Sequence, residues 1–247
     1  MYIYNYKERK KIVEEILSSS TEIETKKVFP NPEDSLSYSK GFKAWVGAMF
    51  VDIVDSSSLF KEENEKVVAK IMKAFCNELI EILRHNDNYK EIGIRGDCVY
   101  AIYSAHNQED LLSILDDAIM INTFIGMFKK MLEKRNLPSF KIGIGLGASE
   151  DLIIKAGEKG TGISNTIWIG SAVVNASKLS SEANREMSDP IVMDGTFYHN
   201  IKDHNATEEK DYSFFSSQKF STKLNEVVYS MNMVYTNFND WVNTELW

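Results

Sequence analysis

The chain reads as an α+β fold, a ferredoxin-like βαββαβ unit with short extensions at both ends, and three features predict it. Apolar runs follow one another as strand, helix, strand, strand, helix, strand between residues 41 and 146. The two helical runs carry apolar residues every three to four positions, so each has one face to bury. The two middle strands are separated only by Gly96 and Asp97, a junction that suits a tight hairpin.

Taken in order, residues 5 to 18 place Ile12, Val13, Ile16 and Leu17 on one helical face, and residues 18 to 40, polar and holding Pro30 and Pro32, read as an extended connector. The first domain strand lies in AWVGAMFVDIVDSSS, Ala44 to Ser58. It shows no alternation: Val46, Ala48, Met49, Phe50, Val51, Ile53 and Val54 surround a single carboxylate, Asp52. Residues 61 to 85 form a long amphipathic helix through Val67, Ile71, Phe75, Leu79 and Ile82, closed by Asn86, Asp87 and Asn88. The hairpin strands are Tyr89 to Arg95 and Cys98 to Tyr103. A second helix spans 108 to 135 through Leu111, Leu115, Ile119, Phe124, Phe128 and Leu132, and Phe140 to Leu146 is the next strand. Residues 151 to 165 contain Gly157, Gly160 and Gly162 and read as a hairpin or arm, its Lys155 and Lys159 either solvated or aimed at phosphate. This divides the chain into a leader (1–40), a domain (41–235) and a C-terminal docking segment (236–247) carrying Phe238, Trp241, Leu246 and Trp247.

Composition narrows the function. At 247 residues and 43% hydrophobic the chain can fill one sizeable core. Its two cysteines, Cys76 and Cys98, sit in apolar runs, which fits a reduced, cytoplasmic protein. No signal peptide, lipidation motif or apolar run long enough to cross a bilayer is expected. A net charge of −8 argues against nucleic acid as a partner, yet an anionic small substrate stays open because bound divalent cations supply local positive charge.

Asp52 carries the chemistry. An ionised carboxylate in an apolar strand is costly without a cation or several donors, and Asp55, Ser56, Ser57 and Ser58 follow it with oxygens and backbone N–H groups. A strand-closing, helix-capping role remains open for Asp52 taken alone. The topology adds a partner. In a βαββαβ sheet the third strand lies antiparallel between the first two, so the hairpin holding Asp97 abuts the end of the strand holding Asp52. Two carboxylates 45 residues apart then converge, and divalent metal between them removes their repulsion.

These residues resemble the class III nucleotide cyclases. FVDIVDSS resembles that family's first aspartate motif, and GDCVYAIY its second. IWIGSAVVNASKLS is similar to its helix motif, IVMDGTFYHNI to a late strand and short helix, and NEVVYSMNM to a closing strand; the likeness runs from about residue 40 to about 235. The resemblance implies a palm-type sheet and two divalent ions, Mn²⁺ or Mg²⁺, held by Asp52 and Asp97, which activate the ribose 3′-hydroxyl and stabilise the leaving pyrophosphate. The Ile53 carbonyl would complete the metal shell, and the N–H groups of Val54, Asp55, Ser56 and Ser57 would cradle phosphate. It also implies a two-fold homodimer with composite sites, the metal ligands of one chain facing Lys178 and Asn175 of its mate.

Departures from the motif point to the base. Adenylate cyclases place a lysine four residues before the second metal aspartate and an aspartate two before the motif tryptophan; guanylate cyclases place Glu and Cys there. The matching positions here are Gly93 and Ile167, so neither set of purine readers is present. Arg95 shares strand parity with Gly93 and Asp97 and offers a donor fork to a pyrimidine carbonyl or a phosphate, or else makes a surface ion pair. The chain most resembles the stand-alone pyrimidine cyclases of bacterial antiphage Pycsar systems, through KGFKAWVGAMFVDIVDSSSLF, EIGIRGDCVYAIY and LIIKAGEKGTGISNTIWIG. That resemblance implies UTP or CTP as substrate and a cyclic mononucleotide, cyclic UMP or cyclic CMP, read by a separate effector; the donors of Arg95 favour UTP, whose base edge is the richer in carbonyls, with CTP as the alternative. The transition-state Asn of the motif falls on Val174, with Asn175 one place and about 100° away, and its Arg is Lys178. The rival classes are a non-catalytic module of the same fold that binds nucleotide or only dimerises, and a palm-type enzyme acting on polynucleotide.

Overall fold

The computed structural model describes residues 4–31, 35–62, 64–158, 163–202 and 216–244. One mixed sheet is formed by β1 (Glu22–Thr25), β2 (Lys40–Ile53), β3 (Tyr89–Arg95), β4 (Cys98–Ser104), β5 (Ile142–Glu158), β6 (Ile163–Ile169), β7 (Ile191–Met193), β8 (Ser217–Ser221) and β9 (Glu226–Met231) and runs in the order β3-β4-β2-β5-β7-β9-β8, with β1 added to β2 and β6 to β5. Its centre is the expected unit: β2 (Lys40–Ile53), β3 (Tyr89–Arg95), β4 (Cys98–Ser104) and β5 (Ile142–Glu158), with β4 antiparallel between β2 and β3. The third strand of the unit therefore lies where the sequence places it.

One face is covered by α3 (Glu65–Leu83) and α4 (Gln108–Glu133). The odd residues Met49, Val51 and Ile53 of β2 enter this core with Ile71, Phe75, Leu79, Leu115, Ile119 and Phe128. The helix expected from residue 61 is two helices, because α2 (Ser56–Glu62) ends and Asn64 starts α3 anew by accepting the Lys66 N–H at 2.9 Å. By length and composition α4 is apolar enough to cross a bilayer, which corrects the sequence expectation; its most apolar 18 residues are 61% buried, so it serves here as the core helix.

The other face is covered by α5 (Ser171–Ser180), and glycines set its position. Gly143, Gly145 and Gly147 alternate along β5, so all three present the same face. A Cβ at any of them would overlap backbone atoms of Ser180, Ala176 or Ala172, which recur every four residues along α5. Helix and strand backbones thus touch directly. Phe42, Ala44, Val46 and Ala48, the even residues of β2, pack under this helix with Phe29. The same face beyond Ala48 is left open, and there Phe50 and Asp52 reach the surface.

The extensions differ from expectation in two places. Within the connector, β1 (Glu22–Thr25) pairs parallel to the start of β2. Near the C-terminus, β8 (Ser217–Ser221) pairs with β9 (Glu226–Met231) after β7 (Ile191–Met193) and α6 (Gly195–Ile201). The leader helix α1 (Tyr6–Ser18) buries no residue, exposes Val13, Ile16 and Leu17, and is tied to β5 by Arg9 and Glu158 at 2.7 Å. At the other end α7 (Thr236–Thr244) docks on α4, whose Lys130 donates to the Val242 carbonyl and to Asn243. Leu246 and Trp247 lie outside the described residues, as do Lys159, Gly160 and Gly162 of the arm formed by β5 and β6 (Ile163–Ile169).

Candidate active site

The site is built at the end of β2. Val51 faces Val99 across the β2–β4 ladder, so the next residue, Asp52, meets the turn joining β3 to β4. Gly96 takes φ +63° in that turn, a left-handed conformation that glycine tolerates, and Asp97 follows it. Electrostatics report the convergence. Burial, then the negative charge of Asp97, push the Asp52 carboxyl above its ordinary value. The Cys98 thiol beside them is pushed up to about 12 by burial and by both aspartates.

Sequence reasoning missed one group at this end. Arg185, between α5 and β7, donates through Nη2 to Asp52 Oδ2 at 3.0 Å and to the Ile53 carbonyl at 2.9 Å. Its guanidinium rests on two of the oxygens expected to hold metal. The donor set fits a hard divalent ion: carboxylate and carbonyl oxygens, with substrate phosphates left to complete the shell. Among the described residues no group of three or more His, Cys, Asp or Glu gathers. Two carboxylates and a carbonyl are what magnesium-type sites use when phosphate supplies the rest.

The segment after Asp52 needs one correction. The Val54 N–H donates to the Lys141 carbonyl at 2.9 Å, continuing the β2–β5 ladder, so it is not available to phosphate. Asp55 is exposed at φ 55°, and Ser56 and Ser57 open α2 beside it.

A second feature lies next to the aspartates on the open face. A cleft of about 530 Å³ is lined by Phe50, Glu91, Arg95, Tyr100, Ile167 and Trp168, among others. Tyr100 is the cross-strand partner of both Phe50 and Gly93. Its ring stacks on Phe50, centroids 5.2 Å apart, and leans over Gly93, where any Cβ would overlap it. The Tyr100 hydroxyl donates to Glu91 at 2.7 Å, and Trp168 Nε1 donates to the other Glu91 oxygen at 2.8 Å. Burial and the Glu91 charge push the Tyr100 hydroxyl pKa up, opposed by a hydrogen bond from Arg95. Arg95 and Ile167 thus line the cleft, while Gly93 lies beneath the Tyr100 ring.

No family model matches the chain. A uridylate cyclase from Treponema porcinum is 38% identical over 240 residues, covering 97% of this chain and 81% of that protein. The chain belongs to the uridylate cyclase family. A second uridylate cyclase, from Gulbenkiania mobilis, is 28% identical over 96% of this chain and 95% of its own. The fold is also that of the adenylyl cyclase CyaB from P. aeruginosa, with a TM-score of 0.63 at 14% identity over 79% of this chain and 97% of that one. The chain is therefore a nucleotide cyclase, as the paired aspartate motifs imply.

In this cyclase α5 carries the remaining candidates. Lys178 is exposed, and Val174, at the motif's Asn position, is 49% exposed. Asn175 turns inward and donates to Asp194 Oδ2 at 2.9 Å. Asp194 also accepts from the Phe197 and Ala148 N–H groups, and burial pushes its carboxyl to about 6. Asn175 is therefore held by a fixed acceptor and is not free on the helix surface.

Proposed function

We propose that this cyclase converts UTP to 3′,5′-cyclic UMP and pyrophosphate in composite sites of a two-fold homodimer. The observation that carries the reading is the convergence of Asp52 and Asp97 beside the Ile53 carbonyl, in a chain 38% identical to a uridylate cyclase. Two bound Mn²⁺ or Mg²⁺ ions would supply charge neutralisation and activation of the ribose 3′-hydroxyl. Asp52, Ile53 and Asp97 would hold them, and Asp55, Ser56 and Ser57 would face the triphosphate. The bond from O3′ to the α-phosphorus forms as the bond to pyrophosphate breaks, and the hydroxyl proton passes to water. The partner's Lys178 neutralises charge on the α-phosphate as it accumulates, while Asn175, held by Asp194, takes part only where nucleotide draws its amide away from that carboxylate.

The cleft accounts for base choice. A lysine at position 93 would have to displace the Tyr100 ring that covers Gly93. The ring and Ile167 make an apolar floor and wall suited to a small base, and the Arg95 fork offers donors to the carbonyl-rich edge of uracil. Residues 41–235 are the catalytic domain on this reading, with 1–40 as leader and 236–247 as a docking segment. The product serves as a cytoplasmic second messenger in antiphage defence, read by a separate effector. The test incubates purified protein with Mn²⁺ and each of the four ribonucleoside triphosphates and resolves the products by chromatography. Cyclic UMP supports the reading. Cyclic CMP in its place moves the specificity, and turnover of none by folded protein refutes catalysis.

A further inference from the structure

Arg185 belongs to none of the motifs that the cyclase reading uses, yet its guanidinium ends on the metal ligands. One nitrogen, Nη2, lies 3.0 Å from Asp52 Oδ2 and 2.9 Å from the Ile53 carbonyl, while Nη1 donates to the Ser180 carbonyl at 3.2 Å. Resting on the same two oxygens is what a bound cation would do. A divalent ion about 2.1 Å from both would fill the space next to Nη2, and two positive groups do not share so small a volume.

The backbone that carries this side chain is fixed. Asn184 sits at φ 54°, its N–H donates to the Asp189 carbonyl at 2.9 Å and its side chain to the Ile142 carbonyl at 2.7 Å. The Arg185 N–H donates to the Glu182 carbonyl at 3.1 Å, and the buried Glu182 carboxylate accepts the Lys223 N–H at 3.0 Å from the β8–β9 turn. The loop is therefore pinned to β5 and to the β8–β9 turn, whereas the guanidinium, with 22% of its side chain exposed, has a route to solvent.

We propose that Arg185 is a built-in counter-ion that closes the metal site of the free enzyme, and that the first divalent ion must displace it. The inference rests on the metal reading of Asp52 and Asp97. It makes the nucleotide-free protein a weak metal binder, because the first metal ion gained costs a charge-assisted pair already formed. It also explains how a half-buried aspartate beside a second aspartate is stabilised before metal arrives.

The test is Mn²⁺ binding by the full chain without nucleotide, followed by the loss of the free-ion electron paramagnetic resonance signal. Arg185→Gln keeps the side chain's length and removes its charge, and should bind Mn²⁺ about tenfold tighter than wild type, the order set by breaking hydrogen bonds to a charged group. Arg185→Lys keeps the charge but cannot span the same three acceptors, and should fall between the two. Asp52→Asn should lose binding. Equal or weaker Mn²⁺ binding by Arg185→Gln, while Asp52→Asn still abolishes it, overturns the counter-ion and leaves the metal site standing. Binding unaffected by Asp52→Asn overturns both. Circular dichroism checks folding, and should Arg185→Gln fail to fold, the order of Arg185→Lys against wild type decides.

Discussion

Replacing Gly93 by alanine tests how the cleft is built, because a single methyl has to meet an aromatic ring held from two sides. The Cβ would overlap Cε1, Cζ and the hydroxyl of Tyr100. The ring escapes only by leaving Glu91, to which its hydroxyl donates at 2.7 Å, and Phe50, on which it stacks at 15° between planes. A hydrogen bond to a charged group contributes about 1.5–3 kcal/mol and an aromatic pair about 0.5–1.5 kcal/mol. Tyr100 borders an open cleft, so the displaced hydroxyl finds water and the loss falls near the low end, about 2–3 kcal/mol. Urea denaturation of Gly93→Ala, of Tyr100→Ala and of the double variant measures this. Once the ring is gone its overlap with the methyl is gone too, so the double variant should lose clearly less than the two single losses together. If the cleft binds the base as proposed, the KM for UTP should also rise more than kcat falls, because the cleft would not touch the reacting phosphorus. A Gly93→Ala protein within about 0.5 kcal/mol of wild type, or strict additivity with Tyr100→Ala, would refute the clamp.

Two further outcomes follow from the site. Asp97→Asn should cut turnover by about a thousandfold or more, because a metal ion's charge stabilisation is worth several kcal/mol of barrier; its melting temperature should hold or rise, since without metal the substitution removes a charge that disfavours ionised Asp52. Loss of folding instead would make Asp97 structural. The second outcome concerns pH. Burial pushes the Asp194 and Asp117 carboxyls to about 6 from an ordinary 3.8, so the folded state holds protons that the unfolded chain has already released. Their contribution is complete below pH about 4, declines as pH rises toward about 6 and is gone above it. Urea midpoints at pH 4.5, 5.5 and 6.5 should show a smaller decline for Asp194→Asn than for wild type, and equal slopes would contradict the assignment.

Much of this architecture is legible in the residues because short-range rules happened to fix long-range geometry. A two-residue turn at Gly96-Asp97 sets the β3–β4 register, and the register places Tyr100 opposite Gly93 before any coordinates are known. The same turn brings Asp97 to the end of β2, so the aspartate pair follows from topology. The glycine alternation IGIGLG was equally visible, but its meaning depends on α5 coming close enough to touch, which only the packed structure displays. Elements without a pattern were missed: β1 and β8 are short, largely exposed strands held by neighbours and not by apolar periodicity. The Val54 N–H is not legible in the sequence for a related reason, since the fate of a backbone N–H at a strand end depends on how far the adjacent strand's ladder continues, here to the Lys141 carbonyl.

Arg185 is the hardest case and the most instructive. It sits in SSEANREMSDP, where charges and small residues follow no period, and it reaches Asp52 across 133 residues of sequence. No local rule predicts that contact. Yet the charge balance of the site demands something like it: two carboxylates meeting at a half-buried strand end need a cation whether or not metal is bound. A sequence that places two acids together therefore poses a question about the metal-free state as well as the loaded one, and in this fold the loop after α5 supplies the answer.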